Sequence, residues 1–254
     1  MKQYYLYIFL LFVTFSCSDT SVKDSDSEEI APDNQKEQTL EQMLNRHIEA
    51  QLSIPTNEKY SFKIYKEHLD GDDKMDAIIT VNRLEYALDV AIKKGNTAKQ
   101  AEIGFTGGYN YIFYYDGEKN ELSPPITISS SPHAELKIHF NKILSEAYSD
   151  IEVDYTILNS SFRDIFTIMN HSPIQVFQWK LYDRLGEENP EVFYLEYGEG
   201  TTSLSKDILI YTGKLDNGKN AKDIYHFDPK ISKNGELLHR FFYLENQGKY
   251  FTKK

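Results

Sequence analysis

Cysteine is all but missing: Cys17 is the only one in 254 residues. A single thiol closes no disulfide within the chain and builds no paired-cysteine zinc motif. A large core does not need bridges, so their absence does not argue against export. Hydrolase signatures are missing too, with neither Gly-x-Ser-x-Gly nor His-Glu-x-x-His present. No repeat of about 20–50 residues recurs, which argues against a solenoid. The longest apolar run, Tyr4 to Ser16, is shorter than the roughly 18–20 residues that span a bilayer. Positive charge is also scarce. Twenty-eight Lys and Arg stand against 39 Asp and Glu, for a net charge of −11 that becomes −12 without Lys2. A surface that acidic repels phosphate backbones, and nucleic acid is excluded as a partner.

Aromatic residues are plentiful, with 19 Tyr and 15 Phe, and the chain is 40% hydrophobic. That is enough for one sizeable core. At the start, one Lys precedes the apolar run and Ser16-Cys17 ends it, the layout of a signal peptide over residues 1–16. A small residue directly before a lone cysteine resembles the bacterial lipoprotein signal, although Thr14 stands where that family usually has Leu. The resemblance implies an acylated Cys17 as mature N-terminus and a membrane partner reached through the lipid, because stable anchoring needs more than one acyl chain. Residues 17–38 continue as a polar, Ser-rich, acidic stretch with little to bury, expected to be a disordered tether. Lys23-Asp24 and Glu28-Glu29 are similar to the surface-export signals of Bacteroidota-type lipoproteins, which implies the outer membrane or cell surface.

The folded part is expected over 39–254 as a single domain. Thr39 and Gln42 form a capping box ahead of Leu40, Met43, Leu44, Ile48 and Leu52 at helical spacing, and Pro55 stops the helix. A second helix is predicted from Asn82 to Lys94, with Gly95-Asn96 as its stop. Residues 135–148 fit either a strand or a third helix. The rest alternates as strands, most clearly Ile174 to Tyr182. Asn170-His171-Ser172-Pro173 turns the chain into that strand, and Asp216-Asn217-Gly218 and Lys233-Asn234-Gly235 read as tight turns. The expected class is mainly β (α+β): antiparallel sheets, propeller- or sandwich-like, with two or three helices near the N-terminal end.

Between two predicted strands lies His68-Leu69-Asp70-Gly71-Asp72-Asp73-Lys74-Met75-Asp76, the acidic centre of the chain. It resembles the calcium loop of the VCBS and FG-GAP repeats. The resemblance implies Asp70, Asp72 and Asp76 as carboxylate ligands and the Lys74 carbonyl as a fourth, holding a structural calcium. His68 departs from the pattern at the first ligand position, and imidazole suits calcium poorly. Asp73 departs again where the pattern has Gly. A solvated hairpin loop without an ion fits the same residues. Gly104 to Tyr109 lacks the Lys-Ser/Thr of a P-loop and reads as a turn. His226 and His239 across a hairpin, or the carboxylates of Glu187-Glu188 or Glu196 and Glu199, would be needed for metal or glycosidase chemistry. Together these features point to a lipid-anchored, non-catalytic envelope protein that binds a protein or glycan. The alternatives are an envelope glycan hydrolase using a carboxylate pair, or an inhibitor of a cell-wall hydrolase.

Overall fold

The computed structural model describes residues 39–93, 107–216 and 229–252. The leader, Cys17, the tether, Gly95-Asn96, Gly104 to Thr106, Asn217-Gly218 and His226 lie outside them. Helix α1 (Leu40–Leu52) begins as predicted: the Gln42 backbone N–H donates to Thr39 Oγ1, and the Thr39 N–H donates to Gln42 Oε1. Ser53 ends it in the left-handed region at φ 50°.

Then follow β1 (Ser61–Glu67), β2 (Asp76–Asn82), α2 (Leu84–Lys93), β3 (Gly107–Asp116), β4 (Glu121–Leu122) and β5 (Ile126–Ser130). These five strands form one antiparallel sheet with β2 and β3 at its centre and β1 at an edge. A β-branched run such as Ile78-Ile79-Thr80-Val81 suits a strand covered on both faces. On the outer face Ile79, Val81 and Phe113 pack under Leu44 and Ile48 of α1, both fully buried. Full burial of such side chains contributes about 1.5–3 kcal/mol each. On the inner face Ile78, Ile112 and Tyr114 meet the second sheet.

That sheet holds β6 (Lys137–Asn141), β7 (Asp150–Ile157), β8 (Ser160–Met169), β9 (Ser172–Asp183), β10 (Glu191–Gly198), β11 (Asp207–Leu215), β12 (Ile231–Leu244) and β13 (Lys249–Thr252). Every strand pairs with its chain neighbour, an uninterrupted antiparallel meander. Ile151, Val153, Phe166 and Ile168 of β7 and β8 complete the core against the first sheet. Only two residue pairs join β9 to β10, and there the sheet folds over. Ile165, Val176 and Phe177 thereby pack against Ile208, Ile210, Tyr243 and Tyr250, a second core. The result is a mainly β, sandwich-like α+β fold with both helices near the N-terminal end of the described chain.

One local expectation needs correction. Lys233-Asn234-Gly235 is not a turn. It lies inside β12, where register breaks against Tyr211 and Gly213 absorb the extra residues as a bulge. Of the two readings of residues 135–148 the strand holds, over Lys137–Asn141, because Ile138 and Phe140 alternate towards the core while Lys137, His139 and Asn141 point outward.

Candidate functional site

The two sheets part along β1 and β6, the edge strands on that side. On the inner face of β1, Ser61, Lys63 and Tyr65 stand level with Asn82, Thr80 and Ile78. Opposite them lies β6 with its approach, Pro132 to Leu136. Polar side chains on β1 cannot seal this mouth, and a groove of about 1080 Å³ remains. That is the size of a ligand site at the upper end of the usual range. Tyr65 of β1, Tyr155 of β7 and Phe193, Tyr194 and Leu195 of β10 are among its lining. A Lys63–Glu135 ion pair crosses the groove. Tyr60 borders it, with its hydroxyl donating to Asn45 Oδ1 at 3.0 Å and Glu49 Oε1 at 3.3 Å. Burial, with Glu49 beside it, pushes that phenol up to about 12.

One wall is charged and largely buried. Register places Asp154 of β7 opposite Arg163 of β8. Arg163 Nε and Nη2 donate to the two Asp154 oxygens at 2.6 and 2.8 Å, a bidentate fork, while Nη1 lies 2.5 Å from Glu152 Oε2. Glu152 Oε1 also accepts from the Tyr197 hydroxyl and the Asn141 amide, each at 2.6 Å. His139 Nε2 lies 3.6 Å from Asp154 Oδ2 at the solvent side. Burial alone pushes the Asp154 carboxyl up, but Arg163 and His139 outweigh it and hold it below the usual carboxylate range. An ionised, guanidinium-bound carboxylate accepts hydrogen bonds and donates no proton. Residues on β6, β7, β8 and β10 meet here without any shared sequence spacing, so sequence reasoning missed them. The alternation of β6 was the only available hint.

The acidic loop is ordered by its own carboxylates. Asp70 Oδ1 accepts the Asp72 N–H at 3.0 Å, and Asp72 Oδ1 accepts the Lys74 N–H at 2.6 Å. His68 Nδ1 lies 2.9 Å from the Lys74 carbonyl oxygen. Asp76, 1% exposed, accepts the Leu69 N–H on Oδ2 and the Gly117 N–H on Oδ1. Among the described residues, the His/Cys/Asp/Glu group whose ligand atoms gather is Asp70, Asp116 and His171, all within 4.8 Å. Asp72 and Asp76 fall outside that group, and sequence reasoning missed both Asp116 and His171. Asn170 and His171 form the β8–β9 turn with φ of 50° and 60°, the two positive values of a type I′ hairpin. That turn brings His171 Nδ1 to 2.7 Å from Asp116 Oδ2.

Glu187 and Glu188 are exposed, Glu196 pairs with Lys233 at 2.6 Å, and none of them lines the groove. His239 stacks edge-on against Trp179 at 5.4 Å. Among the described residues no helix is long and apolar enough to cross a membrane. Searches of protein-family models, curated proteins and solved structures find nothing that matches this chain.

Proposed function

We propose that this protein is a lipid-anchored, non-catalytic envelope-binding module whose groove takes a glycan chain. The observation that carries the reading is the groove itself, about 1080 Å³ between β1, β6 and β10. Its lining mixes Tyr65, Tyr155, Phe193 and Tyr194 with Ser61, Thr156, His133 and His139. Amphipathic rings beside hydrogen-bonding groups suit a ligand with apolar ring faces and hydroxyl edges. Asp154 is held ionised by Arg163, which makes it a fixed acceptor rather than an acid catalyst. The leader, Cys17 and the acidic stretch supply the remainder of the proposal, an anchored domain held off the outer membrane or cell surface.

The test has two arms. Intact mass of the mature protein from its native membrane should show residues 1–16 removed and acyl chains on Cys17. The soluble 39–254 domain should co-sediment with insoluble cell-wall glycan, release no sugar, and lose at least about tenfold in affinity in Y65A/Y194A. Retention that is unchanged in that variant overturns the glycan groove, and released sugar overturns the non-catalytic reading.

A further inference from the structure

We infer that Asp70, Asp116 and His171 form a site for a divalent transition metal, zinc the best match, which fastens the β8–β9 turn to the end of β3. The three donors come from three separate segments: the loop before β2, the last residue of β3, and the hairpin turn of the other sheet. No single acidic stretch makes this cluster, and one donor is an imidazole. A set of one nitrogen and two carboxylate oxygens suits zinc and its first-row neighbours, whereas calcium prefers oxygen alone.

Both carboxylates are oriented by other bonds. Asp116 Oδ1 accepts the Glu118 and Lys119 N–H groups at 3.0 and 2.9 Å, which leaves Oδ2 turned to His171. Asp70 Oδ2 accepts the Tyr114 hydroxyl at 3.1 Å. Outer partners of this kind fix ligand orientation at metal centres.

Charge points the same way. Asp76 and Asp116 are 1% and 3% exposed, and both, with Asp70, surround the Tyr114 phenol. Lys119, whose Nζ is 4.0 Å from Asp116, is the cation paired with them, and the His171 ring lies 2.7 Å from the same carboxylate. Asp72 Oδ2 in the same loop is shielded from solvent and has no hydrogen-bond partner. Carboxylate charge buried without a full complement of cations is costly, and a divalent ion removes that cost. Three protein donors leave further positions for water.

The full chain, stripped with chelator and dialysed, should melt roughly 5 °C or more higher with zinc at a hundredfold excess over its Kd. D70N and H171Q should each abolish the rise, and Co²⁺ should give a visible ligand-field spectrum that H171Q loses. Both substitutions avoid buried Asp116, whose loss threatens folding. A rise that survives in H171Q overturns the site, as does no response to zinc, manganese or cobalt. A calcium-only response lost in D72N overturns it also, by placing the ion within the hairpin loop.

Discussion

Gly117 shows how closely single residues constrain the loop that carries Asp70 and Asp76. Its N–H donates to Asp76 Oδ1 at 2.9 Å, and a Cβ at this position would collide with the Met75 carbonyl oxygen. Backbone against backbone leaves no flexible side chain to yield. G117A is therefore expected to cost about 1–3 kcal/mol, read as a lower denaturation midpoint with an unchanged slope. A change within about 0.5 kcal/mol would mean that the loop adapts freely. The sequence showed the carboxylates here but not their partners. Asp70, Asp72 and Asp76 lie within seven residues of one another, yet Asp116 and His171 are 55 residues apart along the chain and meet only through the β8–β9 turn. A turn was legible over Asn170 to Pro173, but it is tighter than that: Asn170 and His171 alone take positive φ, and Ser172 and Pro173 already pair within β9. Which side chain it would face across the sandwich was not legible.

At the scale of elements, edge strand β6 carries a titratable contact. The Asp154 carboxylate, 3.6 Å from His139 Nε2, raises the imidazole pKa, opposed by partial burial and by Arg163 and supported by Glu152. The group gains stability by being protonated in the fold. Its contribution is full below the unfolded value near 6.5 and is lost as pH rises through the raised folded value. Melting temperature should fall as pH rises above about 6.5 in the wild type, and less so in H139Q. Equal falls in both proteins would remove the contact from the account.

Element readings succeeded where one physical signal dominated. Helix α1 followed from its capping box, and β9 from nine alternating residues. Asn234-Gly235 failed because a turn pair inside a long strand serves equally well as a bulge, and only the partner strand decides between them. β13 was overlooked because Tyr250-Phe251 is too short a signal without β12 beside it.

For the molecule as a whole, strand alternation pointed to a mainly β, antiparallel fold, and the meander order of the second sheet follows from short connections between successive strands. The groove is a property of the assembled sandwich. It opens because polar residues of β1 face β6 where apolar ones would have closed the core. No window of sequence contains that relation. Amide chemical-shift mapping of the 39–254 domain, titrated with soluble cell-wall glycan fragments, tests the central claim most directly. The account predicts saturable shifts at Ser61 to Tyr65, Lys137 to His139 and Phe193 to Leu195, with the fragments unshortened afterwards. Shifts absent from those three strands, or fragments cleaved during the titration, would contradict it.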